Sequence, residues 1–438
     1  MSPPARQAHG VALPPALARR LPAALHYLAT RILSAATRLE TSTSVALSLA
    51  RLRAWRPTRG EKAKYAFLLA LALPCLYIMA APAFPLKLAL PAVYTLAVLL
   101  PVSSQFILPA TPIFAWLLLF YSSQFLAPES RPHIWVSVLP TLESVWYGAS
   151  ISDILTHFGH PALDILAWLP YGVIHFVAPF VVAALLFVFA PPGATKVFGA
   201  AFGFLNILGV MTQVGFPCAP PWYELREGLT PANYSMKGSP AGLARIDALF
   251  HGHGYTLTFT NAPVPFGAFP SLHAGCATME ALFLSYFFPV ALRIGRVRLD
   301  ARVLYWTYAF WLYWCTMYLM HHYLVDLVGG ACLATACFYF FLTNEMRFQM
   351  ETNWTARPSA AQPITALPAA TEPQDAFGVR PSVDIERRPM PASRAGGEDE
   401  VRMDELRRAP TPMQRSGSNR SATADVLFEQ PDEVRRDA

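Results

Sequence analysis

Apolar residues in this chain do not recur with the period of a half-buried helix or strand; they fill long runs with few charges. A helix crossing a bilayer needs about 17–25 such residues. Runs near that length cover 65–81, 86–102, 112–126, 168–190, 197–214, 270–292, 303–320 and 323–342, which predicts eight transmembrane helices. Prolines interrupt the first two. Between the runs lie two long polar and aromatic stretches, 127–167 and 215–269, expected as loops. Beyond residue 344 the chain is rich in Pro, Arg, Glu and Ser and has almost no aliphatic run, a composition expected to stay disordered. No internal repeat is visible. The pattern divides the chain into an N-terminal arm (1–64), a transmembrane domain (65–343) and a tail (344–438).

Composition sharpens this reading. Of 438 residues 54% are hydrophobic and only 14% charged, where soluble domains carry roughly 25% charged residues. The mean hydropathy is +0.34. An all-α polytopic membrane protein fits these values, and a soluble multidomain protein does not. Cys75, Cys276, Cys315, Cys332 and Cys337 lie in apolar runs, so the six cysteines form no disulfide framework, and Cys218 has no aqueous partner in view.

The net charge of +6 is unevenly placed: +9 over residues 1–64, zero over 65–342 and −3 over 343–438. A basic excess beside the first apolar run speaks for a membrane topology signal rather than for nucleic-acid binding. The arm is poor in acids and has an amphipathic pattern over 26–49. That composition resembles a mitochondrial transit peptide, but the long polytopic unit behind it favours a cytosolic arm on the membrane surface. No short apolar region with a cleavage site precedes it, so no cleaved signal peptide is expected. Arg293, Arg296, Arg298, Asp300 and Arg302 give the turn between runs six and seven a net +3, which places that turn in the cytosol as well. With eight spans both termini are then cytosolic, and both long loops face the lumen.

Two histidine motifs carry the chemistry, both at that lumenal edge. His273 follows Pro270 and Ser271, good residues for a first helical turn, so it should sit in the first turn of span six. Free N–H groups and a partial positive charge at a helix start suit a phosphate. His322 opens span eight, and Asp326, four residues on, shares its helical face. A carboxylate bonded to one imidazole nitrogen fixes the tautomer and makes the other the better nucleophile. A lone interfacial histidine is usually only a polar side chain. A carboxylate inside a span, however, is costly and needs a partner, and His273 lies on the same side. No Cys/His ligand spacing supports a zinc site, so no metal and no organic cofactor are expected.

Pro270-Ser271-Leu272-His273, followed by His322-Tyr323-Leu324-Val325-Asp326, resembles the phosphatidic acid phosphatase type 2 superfamily. Longer stretches look like the fungal inositol phosphorylceramide synthase catalytic subunits: Arg131–Ile134, Leu139–Glu143, Pro217–Tyr223, Ala232–Ser235, Gly242–Asp247, Phe266–Leu282 and His321–Gly330. The resemblance covers roughly residues 65–345. It implies a six-helix core and transfer of phosphoinositol from phosphatidylinositol to the primary hydroxyl of ceramide, releasing diacylglycerol. Carried over by motif, His322 is the nucleophile, Asp326 orients it, and His273 is first the acid and then the base. Arg131, Arg245, Ser271 and His321 are substrate-binding candidates. The family also implies the Golgi membrane and a small regulatory membrane subunit.

Two cations of the wider superfamily are absent. Gln124 stands where its first motif has Lys, seven residues before Arg131-Pro132, and Thr316 where its third has Arg. A phosphodiester carries one negative charge fewer than a phosphomonoester, so their loss favours transfer between lipids over phosphatase activity. A lipid phosphate phosphatase and a non-catalytic transporter or scaffold are the alternatives. Glu280, two turns beyond His273, is expected to bond a neighbouring helix or to tune that histidine. Asn233-Tyr234-Ser235 is a glycosylation sequon, the aromatics of 306–314 read as helix packing, and Ser416, Ser418 and Ser421 in the tail are candidate kinase sites.

Overall fold

The structure is a computed structural model that describes residues 22–355 except residue 295. The kinase-site candidates, the first 21 residues of the arm and most of the tail lie outside them. Among the described residues the chain is almost entirely helical. The arm contributes α1 (Ala23–Thr37) and α2 (Val45–Ala54), where one amphipathic stretch was expected. Next come α3 (Arg59–Ile78), α4 (Phe84–Leu99) and α5 (Pro101–Ser122). The first long loop folds into α6 (Val138–Tyr147) and α7 (Ile151–Thr156) before α8 (Pro161–Trp168). A π-turn, Leu169–Ile174, joins α8 to α9 (His175–Phe189), and α10 (Ala194–Gly215) follows. The second loop holds α11 (Pro221–Glu227), α12 (Leu243–Leu249) and α13 (Gly254–Thr260). The remaining elements are α14 (Leu272–Phe287), the antiparallel strands β1 (Ala291–Ile294) and β2 (Val297–Asp300), α15 (Ala301–Tyr318), α16 (Leu324–Phe341) and α17 (Asn344–Thr355).

Every predicted apolar run overlaps a helix, but the run at 86–102 is divided between α4 and α5, and the run at 270–292 extends past α14 into β1. Among the described residues four segments are long and apolar enough to cross a membrane: Pro101–Phe125, Pro161–Phe189, Ala194–Gly215 and Leu324–Phe341. α4 is a shorter apolar helix, and α14 has only 16 residues. The run expected at 112–126 begins eleven residues earlier. Pro101 opens α5, and Pro109 and Pro112 ride inside it. They are tolerated because Gly199 and Gly203 of α10 let that helix close on the two proline turns, where a Cβ at Gly203 would strike Pro112.

α10 is the hub. Val182, Phe198, Phe202, Leu205, Met279, Phe283 and Phe338 form a core shared by α9, α10, α14 and α16. Met346 and Met350 of α17 are buried in the same core, so apolar anchors hold residues 344–355 as helix where the composition predicts disorder. The two long loops are stitched together: Trp135 N–H donates to Pro217 O, Ala219 N–H to Trp135 O and Ala268 N–H to Cys218 O. Cys218 is thus buried inside a three-segment bridge. Trp306, Tyr308, Trp311 and Trp314 pack against a second core, as the packing reading of 306–314 expects.

Candidate active site

The two histidine motifs meet where the first turns of α14 and α16 cross. The Ser271 hydroxyl caps α14 by accepting the Ala274 N–H, a role for which Ser is favoured. The Ser271 N–H donates to the Asp326 carbonyl at 2.9 Å, tying the motifs together through backbone. Such closeness needs glycines: a Cβ on Gly330 would collide with the Ser271 carbonyl.

His322 lies in the turn between α15 and α16. Met320 adopts the left-handed conformation there, with φ +63°, which costs a side-chain-bearing residue about 1–2 kcal/mol. The Thr316 carbonyl accepts the amides of both His321 and His322, and Met320 O accepts the Trp222 N–H. Tyr323, buried, donates its hydroxyl to Glu224 at 2.6 Å. These bonds hold the strained turn.

The chemistry is linear. His322 Nδ1 donates to Asp326 Oδ2 at 3.0 Å, and Asp326 has no exposed surface. His322 Nε2 stands 3.1 Å from His273 Nδ1. Burial lowers the His322 imidazole to about 3, so it is neutral near pH 7. With its Nδ1 proton on Asp326, the lone pair sits on Nε2, facing His273. Asp326, His322 and His273 thus stand in one line, an order suited to a nucleophile between an orienting carboxylate and an acid/base partner.

The other predicted residues take different places. His321, also lowered to about 3 by burial, stacks between Phe259 and Tyr171. Arg131 donates to the carbonyls of Leu126 and Gln124 and lies over the Tyr234 ring, lining a small cavity with Gln213 and Phe266. Arg245 pairs with Asp164 at 2.8 Å, and the Tyr318 hydroxyl donates to the same carboxylate oxygen. Among the described residues no hydrogen bond, ion pair or ring contact joins either arginine to His273 or His322. Glu280 is buried with neither oxygen partnered among the described residues, so the bond expected to a neighbouring helix is not made. Among the described residues the side chains of Gln124 and Thr316 bond only to backbone of their own helical turns.

Three neighbours escaped the sequence reading. Tyr171 stacks on His273 with ring centres 4.6 Å apart, and His175 packs against the same ring at 4.9 Å. Both come from the segment around the π-turn, a feature frequent at functional sites. A histidine inside an apolar run was a usable signal for His175; Tyr171 had none. The third is Glu143, whose carboxylate accepts the Leu324 N–H at the start of α16.

Residues 139–340 match the PAP2 superfamily. The chain is 49% identical over 277 residues to the inositol phosphorylceramide synthase catalytic subunit of Schizosaccharomyces pombe, covering 63% of each protein. It is 46% identical over 302 residues to the inositol phosphorylceramide synthase of Candida albicans, 69% of this chain and 62% of that one. With the catalytic subunit of Saccharomyces cerevisiae it shares 45% over 302 residues, 69% of this chain and 73% of that one. The matched region thus spans under two thirds of the first two relatives. No solved structure matches the chain. The chain belongs to the inositol phosphorylceramide synthase family of the PAP2 superfamily.

Proposed function

We propose that this protein transfers phosphoinositol from phosphatidylinositol to the primary hydroxyl of ceramide and releases diacylglycerol. The observation that carries this reading is the Asp326–His322–His273 line, with 3.0 Å and 3.1 Å between successive polar atoms. His322 Nε2 attacks phosphorus, and the bond from phosphorus to the diacylglycerol oxygen breaks as His273 gives that oxygen a proton. The phosphohistidine ring is then cationic, and the Asp326 carboxylate balances it. Ceramide next loses its hydroxyl proton to His273 while its oxygen attacks phosphorus, and the phosphorus–nitrogen bond breaks. His322 returns neutral and His273 protonated, so no proton is gained or lost over the cycle.

Ser271, whose own N–H is taken by the Asp326 carbonyl, caps the first turn of α14, and the backbone N–H groups of Leu272 and His273 in that turn bind the phosphate, with His321 as a further binding residue. Arg131 and Arg245 hold the substrate head group at the rim of the site, which requires each to leave its present partners. The bridged loops shield the phosphohistidine from water, which competes with ceramide. The enzyme resides in the Golgi membrane as a multi-pass protein, with the site lumenal, both termini cytosolic, a transmembrane catalytic domain over 65–343 and a small regulatory membrane subunit as partner. The basic turn between α14 and α15 supports that orientation.

The test is to supply fluorescent ceramide and phosphatidylinositol to membranes holding the wild type or His322→Ala. An inositol-containing lipid formed by the wild type alone is expected. Phosphate release from phosphatidic acid without that lipid would overturn the reading in favour of a phosphatase.

A further inference from the structure

The turn that carries His322 is gripped from one side by a single short segment of the first loop. Glu143, on α6, is fully buried. Its Oε2 accepts the Leu324 N–H at 2.8 Å and its Oε1 accepts the Ile151 N–H at 3.0 Å. One residue beyond Ile151, the buried Ser152 donates its hydroxyl to the His322 carbonyl at 2.7 Å. The two fixed backbone groups, His322 C=O and Leu324 N–H, flank Tyr323. Rotation of the peptides that aim the His322 ring would break one bond or the other.

We propose that Glu143 and Ser152 are positioning residues that hold the His322 turn in register with Asp326, and that Glu143 does so as a carboxylate. This rests on the reading of His322 as nucleophile. Burying a carboxylate is costly, and an apolar side chain would fill the space without that cost. Only an ionised carboxylate offers two equivalent oxygens to two N–H donors; its protonated form turns one oxygen into a donor. Burial, helped by the Asp326 carboxylate and opposed by the backbone N–H groups of Ile151, Leu324 and Val325, raises Glu143 to about 7. The titratable groups facing it are Asp326 and Tyr323 on the α16 side, with Glu224 bonded to Tyr323, and the Cys218 thiol across Leu139, which burial pushes up to about 12. Both grips are complete above about pH 7, and one is lost as pH falls through it.

The experiment measures inositol lipid formation by the full chain in membranes between about pH 5.5 and 8.5. Wild-type kcat should rise through about pH 7. Glu143→Gln should lower kcat about 10-fold or more at the alkaline end, erase that rise and leave KM within about 2-fold, as a misplaced nucleophile requires. An unchanged kcat with the rise intact would overturn the proposal. Should Glu143→Gln fail to accumulate, Ser152→Ala decides: about 5-fold lower kcat with the pH rise retained supports the clamp, and wild-type kcat overturns it. A wild type that makes no product defeats the proposed function instead. Amide exchange at Leu324 then reads the clamp directly: at least about 10-fold faster in Glu143→Gln supports it, and equal exchange overturns it.

Discussion

His273 Nδ1 lies 3.1 Å from His322 Nε2, so under the proposed mechanism His273 covers, in the resting site, the lone pair that would attack phosphorus. A reacting phosphorus needs about 3–3.5 Å from the nucleophile, and its leaving oxygen must sit about 2.6–3.2 Å from the acid. The two nitrogens therefore have to part to roughly 6–7 Å once the phosphodiester enters. His322 is fixed by Asp326 and by the turn around it, so His273 or α14 is the side that yields.

The tautomer of His322 depends on Asp326. Asn at 326 would offer N–H groups to Nδ1, moving the ring proton to Nε2 and removing the attacking lone pair. Asp326→Asn is expected to lower kcat by about 10³–10⁴-fold with little change in protein level. Lipid product formation against immunoblotted protein checks it, and a variant retaining a tenth of wild-type activity would rule out the tautomer-setting role given to Asp326.

Gly330 sets how closely the two motif helices approach. Gly330→Ala puts a methyl group into the Ser271 carbonyl, and backbone on both sides must move. A cost of about 1–3 kcal/mol is expected, seen as a lower Tm in detergent, with activity lost because Ser271 and Asp326 share a hydrogen bond at that crossing.

How much of this was legible depended on how local each feature is. His273 after Pro270-Ser271 and the His322/Asp326 spacing are short-range facts, and the structure brings those residues together. The apolar runs gave the long helices, but α5 starts eleven residues before the run at 112, and Pro109 and Pro112 lie inside it against Gly199 and Gly203, a packing the local sequence does not show. Residues 344–355 look like tail in composition; Met346 and Met350 become anchors only once the core they enter exists. Tyr171 was invisible, and Glu143 stood out only within the Leu139–Glu143 resemblance with no role attached, because nothing in their spacing ties them to histidines more than a hundred residues away.

Arg245 separates a structural role from a substrate-binding one. Its partner Asp164 is buried while Arg245 itself is half-exposed, so solvent screening limits the pair to about 1 kcal/mol. If the ion pair is all that Arg245 contributes, Arg245→Ala should lower Tm slightly and leave KM for phosphatidylinositol within about 2-fold. A KM raised about 10-fold at unchanged Tm would instead give the guanidinium to the head group.

The aromatic wall around His273 yields the most discriminating pair of variants. Tyr171 is stacked between His273 and His321, yet its hydroxyl is buried with no partner among the described residues. If the ring is what matters, holding His273 upright against His322, then Tyr171→Phe should keep kcat within about 2-fold, since no hydrogen bond is removed. Tyr171→Ala should lower kcat by about 100-fold, because the freed His273 ring can turn from its productive angle. His175→Phe preserves the other face of the stack and should behave like Tyr171→Phe, while His175→Ala should follow Tyr171→Ala. Steady-state kinetics on the four variants decides the matter. If Tyr171→Phe falls as far as Tyr171→Ala, the hydroxyl itself touches substrate, and the stack is a binding surface rather than a support.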